Sequence, residues 1–143
     1  MGVGVCMKYK FSEIVDIPKL RNIMEGLYLA SGIPSGIIDL EGNILVQVGW
    51  RDICMNFHRV NSETELLCRQ SDKYLQEHIK ECGGKSEPYI CYTCLNGLID
   101  AAAPIIIDGE HVATIFQGQF LYEDPDFEEF RGRARKYGFD EEE

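Results

Sequence analysis

Six cysteines in a chain of 143 residues are the side chains with most chemistry to offer: Cys6, Cys54, Cys68, Cys82, Cys91 and Cys94. Cys91 and Cys94 form a C-x-x-C within "YICYTCLNGLID". That spacing fits half of a zinc site, a redox pair, or two small buried side chains. A structural zinc site takes four ligands, and the chain holds no second C-x-x-C. Cys54 and His58 stand four apart, on one face if their segment is helical. Cys54, His58, Cys91 and Cys94 therefore make a possible tetrahedral set, assembled by long-range folding, with Cys68 as a further candidate. Against it stands a plainer reading, in which the cysteines are small buried hydrophobes and His58 follows Phe57 on a half-buried face. Thioredoxin-type exchange wants the pair at a helix N-terminus in a βαβ unit, whereas a hairpin pattern follows here. A Cys-His nucleophile, from Cys54 or Cys94 with His58 or His111, has neither an orienting third group nor an oxyanion hole in view. The chain does not read as an enzyme.

A second unusual stretch is "FQGQF", Phe116 to Phe120. In a regular strand Gln117 and Gln119 share a face with Ala113 and Ile115. Two amides on such a face either meet a small polar ligand or lie in solvent, and spacing alone favours solvent. Gly118 opposite them permits close packing. Trp50, at the end of the first strand pair, walls a pocket or fills core.

These residues must be positioned by a fold, and composition bounds it. The length suits one domain with its own core, and 45% apolar content is ordinary for a globular chain. No run approaches the roughly 18 apolar residues of a membrane span. "MGVGVCMKYKF" lacks a secretory pattern and fits myristoylation poorly, so a cytoplasmic location with free thiols is expected. Net charge is −10, with 24 acidic against 14 basic residues, and "RGRARK" is hemmed in by acids. Direct nucleic acid binding needs clustered cations and is not expected.

The first strong element is a helix over 17–31, with Asp16 as cap, Pro18 in the first turn and Gly32 as stop. Leu20, Ile23, Met24 and Leu27 supply its apolar face. "GIIDLEGNIL" reads as a hairpin turning at Glu41-Gly42-Asn43. "RDICMNFHRV" is a short amphipathic piece. Ser62-x-x-Glu65 reads as a capping box opening a helix to about Lys80, with Cys68, Asp72, Leu75 and Ile79 on one stripe and Gly83-Gly84 as its end. "PYIC" is a short strand. Two longer β-rich runs flank Asp108-Gly109, with Pro104 demanding an edge or a bulge. A last helix is expected over 125–138, capped by Asp124. The tally is α+β with a largely antiparallel sheet.

In that order, "GIIDLEGNIL", "W…ICMNFHR", "CRQSD" and "CLNGLIDAAAPIIIDGEHVATIFQGQ" resemble the PocR sensory domain family, over roughly Phe11 to Tyr137. The resemblance implies a PAS-like fold: a five-stranded antiparallel sheet with helices inserted between its second and third strands and helices at both ends. It implies a sensory module, 1–143 as a single domain excised from a longer signalling protein. Such modules are joined to histidine kinases, transcription activators or chemoreceptor-type outputs, and bind small hydrocarbon derivatives such as diols. It puts Cys54, Cys68, Cys94 and Gln119 at motif positions on one concave face. Cys91 departs from the pattern and raises the prospect of metal.

Two functions are therefore carried forward. The first is a non-enzymatic ligand sensor with Trp50, Cys54, Phe57, His58, Cys68, Cys94, Gln117 and Gln119 at its pocket, signalling through the terminal helices, which also offer a homodimer contact. It requires no cofactor. The second is a redox or metal sensor, in which Cys54, Cys68, Cys91 and Cys94, with His58, hold zinc or an iron–sulfur cluster.

Overall fold

The computed structural model describes residues 9–82 and 89–142, and the side chains of 80–82 lie outside the description. Cys6 and the expected helix stop at Gly83-Gly84 also lie outside it. Among the described residues the chain runs through α1 (Phe11–Ile14), α2 (Ile17–Ser31), β1 (Ser35–Asp39) and β2 (Ile44–Val48). A π-helix (Ile53–His58) and α3 (Ser62–Cys82) follow, then β3 (Ile90–Thr93), β4 (Ile99–Ile107), β5 (Glu110–Phe120) and α4 (Phe127–Tyr137). The five strands form one antiparallel sheet in the order β2-β1-β5-β4-β3. The π-helix and α3 lie between the second and third strands, as expected.

Local chemistry explains the element ends, with three corrections. Asp16 caps α2 by accepting from the Lys19 N–H, and Gly32 closes it in the left-handed region. The cap of α3 is Asn61, one residue before the expected Ser62: its Oδ1 accepts from the N–H groups of Glu63 and Thr64. Glu65, free of any reciprocal capping bond, pairs with Arg69 instead. Asp126, not Asp124, caps α4, accepting from the N–H groups of Glu128 and Glu129. An Asx cap needs helical N–H groups two or three residues on; Asp126 has Glu128 and Glu129 there, whereas the helix begins only at Phe127, three residues after Asp124. The β1–β2 turn is held by Asp39, which accepts from the N–H groups of Glu41 and Asn43. Pro104 sits on β4 beyond the last β3 pairing, at Ala102, so its missing N–H faces no neighbouring strand on that side.

Each sheet face carries its own cluster. On one, Ile37, Val46 and Val48 pack with Met24, Leu20 and Tyr28 of α2. This corrects the expected helix face: Met24 and Leu20 point inward with Tyr28, while Ile23 and Leu27 stay about 60% exposed. Tyr28 is the reason, because its ring lies where a side chain at Gly49 would be. On the other face Ile38, Ala102 and Phe116 meet Leu75 and Ile79 of α3, both fully buried. The stripe expected on α3 thus faces the sheet. The second face also carries Gly36, paired with Phe116, and Asp100, paired with both Gly118 and Tyr92.

Candidate functional site

Between this second face, the π-helix and the first half of α3 lies a small, partly open chamber of about 50 Å³. Its floor is open because the strands carry glycines there. A Cβ on Gly36 would come within 2.9 Å of the Trp50 ring, and one on Gly118 within 2.8 Å of the Asp100 and Ile99 backbone. Trp50 is fixed as a wall by its Nε1–H, which donates to the Ser35 carbonyl at 2.9 Å, and by the Arg59 guanidinium 4.8 Å over its ring. The π-helix closes with the Arg59 N–H on the Cys54 carbonyl, and both Cys54 and His58 are buried. Such short π turns recur at functional sites.

Cys94 enters through the turn that opens "CLNGL". Gly97, at φ +94°, lets the chain fold back so that the Cys94 N–H reaches the Leu98 carbonyl at 2.7 Å. The Leu98 N–H in turn approaches the Cys94 sulfur at 3.4 Å. Asn96, almost fully buried, donates through Nδ2 to the Thr64 carbonyl and to the Cys68 sulfur at 3.2 Å. One side chain therefore ties the turn to α3. Ser71 adds a second tie by accepting from the Leu95 N–H.

The charged members were not anticipated as site residues. Arg59 pairs with Asp72 at 3.1 Å, both side chains about four-fifths buried. Burial raises the Asp72 carboxyl, and Arg59 pulls it back down. Asp100 has no such partner at contact distance among the described residues. Burial pushes its carboxyl up to about 6, repulsion from Asp72 adds to this, and the Gln119 N–H at 3.2 Å and Arg59 partly offset it. Burial likewise raises the thiols, Cys54 to about 12 and Cys68 to about 11, and Cys94 upward as well, with Asp100 pushing Cys54 and Cys94 further. All three are thiols at neutral pH, not thiolates. Burial, reinforced by Arg133 and Arg59, lowers His58 to about 4, so its imidazole is neutral. Its Nδ1 finds no hydrogen-bond partner among the described residues.

Of the expected site residues, Trp50, Cys54, His58, Cys68, Cys94 and Gln119 line this chamber. Gln119 reaches it by leaving the regular strand. Its φ is +62°, it forms a bulge where Ile99 pairs with Phe120 and Asp100 with Gly118, and its Oε1 accepts from the Arg51 N–H. Gln117 is not brought in: it stays on the regular strand, exposed, in register with Ala101 and Ser35 on the opposite face. Cys91 shares that register row through Ala101, is exposed, and meets the Tyr122 hydroxyl at 3.2 Å. The four-thiolate set of the alternative reading is not drawn together, because alternation along β3 turns Cys91 away. Among the described residues no three His, Cys, Asp or Glu side chains group so as to hold a metal ion.

Phe57 also lies elsewhere. It lines a larger, more open groove of about 520 Å³ between the π-helix, α4 and the segment after it, packed edge-on against Phe139 at 5.5 Å. His58 and Leu98 belong to both cavities' walls. Helix α4 is pinned beside the site by Arg133, which donates to the Leu95 carbonyl at 3.0 Å, and by Asn61, which donates to the Tyr137 carbonyl.

Sequence signals for the missed residues existed. Asp100 is an acid inside the apolar run "LIDAAAPIII", and Asp72 lies on the apolar stripe of α3. A buried carboxylate needs a partner, and Arg59, next to His58, was the available cation.

An antiparallel sheet in this strand order, with helices across one face enclosing a polar chamber, defines a PAS-like sensory domain. The family model described as the sensory domain found in PocR matches residues 13–143, and the chain belongs to that family. Neither the curated proteins nor the solved structures provide a significant match. No helix among the described residues is long and apolar enough to cross a membrane.

Proposed function

We propose that this domain senses a short diol or a similarly small neutral hydroxy compound, bound in the chamber beneath the π-helix. The observation that carries the reading is the chamber's size and lining together. A volume of about 50 Å³ admits roughly four waters, which matches the four or five heavy atoms of a two- or three-carbon diol. Asp100, Ser71, Arg59 and Asp72 offer acceptors and donors, while Trp50, Phe116 and the neutral thiols supply the less polar wall. The polar share is larger than in a typical ligand pocket, which suits a ligand with hydroxyls on most of its carbons.

Binding would act on the π-helix and on the 94–98 turn, and through Arg133 on α4. Differential affinity for two arrangements of these elements would then bias an output domain in the same protein, a kinase or a transcriptional regulator. Helix α2 on the opposite face is the second exit. No step of this scheme requires bond-making by the domain, and no metal is invoked.

The test is a thermal-shift and calorimetric screen of short diols, alcohols and monocarboxylates. A ligand at a hundredfold its Kd should stabilise by about 2.7 kcal/mol. A panel in which no two- to four-carbon diol shifts the transition would overturn the proposal.

A further inference from the structure

The geometry points to Asp100 as the specificity-determining residue of this chamber, one that accepts a ligand hydroxyl and turns carboxylate anions away. The inference rests on the chamber being the ligand site, as proposed above, and adds which chemistry it selects. Among the described residues lining the chamber, Arg59 has the one fixed positive charge. That charge is committed: the guanidinium is bonded to Asp72 and stacked on Trp50. Among the described residues Asp100 forms no ion pair, and Arg59 acts on it only at a distance. The donor it meets among the described residues is the Gln119 N–H, on Oδ1.

This placement is built by the backbone. The bulge at Gln119 turns its N–H toward the acid, and the missing side chain at Gly118 leaves the space that the carboxylate occupies. A carboxylate so enclosed gains from any ligand group that donates a hydrogen bond, because buried acceptors are costly when left short of donors. The same carboxylate repels an anion, and with Asp72 beside Arg59 no spare cation compensates. A diol and the corresponding short acid are close in size, so shape alone separates them poorly. Charge at Asp100 does the separating.

The experiment is calorimetric titration at pH 7.5 of ethane-1,2-diol, propane-1,2-diol and propane-1,3-diol, and of acetate and propionate, into the wild-type domain. The same titrations follow on Asp100→Asn and Asp100→Ser, each checked for folding by circular dichroism. The readout is the ratio of best diol to best carboxylate affinity, which a merely structural role for Asp100 would leave unchanged. The wild type is expected to bind a diol at least tenfold more tightly than either acid, and Asp100→Asn to shrink that ratio at least tenfold. Should the Asn variant not fold, the Ser variant carries the same comparison. Diol binding with a carboxylate within tenfold in the wild type, or with an unchanged ratio in a folded variant, overturns the assignment of Asp100 alone. Absence of any diol binding to the wild type overturns the chamber reading, and this inference with it.

Discussion

Replacing Asp100 by Asn should make the ligand-free domain more stable at neutral pH, and the size follows from its environment. The carboxyl titrates near 6 in the folded chain against an ordinary 3.8. A folded-state pKa above the unfolded one means that the native state binds more protons between these values, so stability from this group falls as pH rises from about 4 to 6 and stays low above. At about 1.4 kcal/mol per pH unit, the ionised Asp100 costs roughly 3 kcal/mol at pH 7.5. Asn keeps the shape and an oxygen for the Gln119 N–H but carries no charge to desolvate. His58 works in the opposite sense. Its pKa is lowered from 6.5 to about 4, so its contribution is lost as pH falls through that window, and it cancels when the two proteins are compared at equal pH. Urea unfolding of wild type and Asp100→Asn at pH 7.5 and at pH 4 measures the difference. The variant should be more stable by about 1–3 kcal/mol at pH 7.5, several degrees in Tm for a domain of this size, and close to wild type at pH 4. A variant no more stable than wild type at pH 7.5, or equally stabilised at both values, would refute the electrostatic account of this residue.

Other outcomes follow from the same geometry. Gly118→Ala should destabilise by about 1–3 kcal/mol in thermal unfolding, since its Cβ would stand 2.8 Å from the Asp100 and Ile99 backbone. Gln119→Ala should cost about 1 kcal/mol by losing the acceptor for the Arg51 N–H. Gln119→Gly should cost less, because glycine accepts a φ of +62° without strain; urea titration of both variants checks the order. With a thiol reagent under native conditions, Cys91 should react well ahead of Cys54 and Cys68, as exposure and their raised pKa values dictate. Equal rates by mass-spectrometric mapping would contradict this.

How much of this was legible in the sequence depended on whether local chemistry or distant packing decided the outcome. The hairpin turns at Gly42 and Gly109, the α3 stripe and the strand count followed from period and turn residues, because those patterns are local. The caps slipped by one or two residues because Ser62 and Asp124 each have a better-placed Asn or Asp neighbour. The face of α2 was misassigned because Ile23 and Leu27 satisfy helical spacing as well as Tyr28 does, and only the approach of Gly49 chooses between them. The site followed the same division. Cys54 and His58 came together because four-residue spacing on a helical turn brings them together. Gln117 and Gln119 were paired by strand alternation, and the bulge at Gln119 broke that pairing. Asp100 and Arg59 escaped notice because a lone acid in a strand reads as an edge residue until the partners across the sheet are known.

The bulge that defeated the strand reading is also what joins the chamber to the rest of the molecule. Asp100 accepts from the Gln119 N–H, the Gln119 side chain accepts from the Arg51 N–H, and the Arg51 carbonyl accepts from the N–H groups of Cys54 and Met55. These bonds run without a gap from the acid on the sheet to the opening turn of the π-helix. The far end of that helix carries Phe57, in contact with Phe139 beyond α4. A π-helix holds its hydrogen bonds less favourably than an α-helix and so has a nearby alternative. If a ligand hydroxyl takes up part of the Asp100 carboxylate, the bond from Gln119 weakens and the start of the π-helix is released with it. On the proposed reading the desolvation cost carried by Asp100, roughly 3 kcal/mol, is free energy that a ligand would relieve, a little over half of what turning a 1:99 bias into 99:1 takes, about 5.5 kcal/mol.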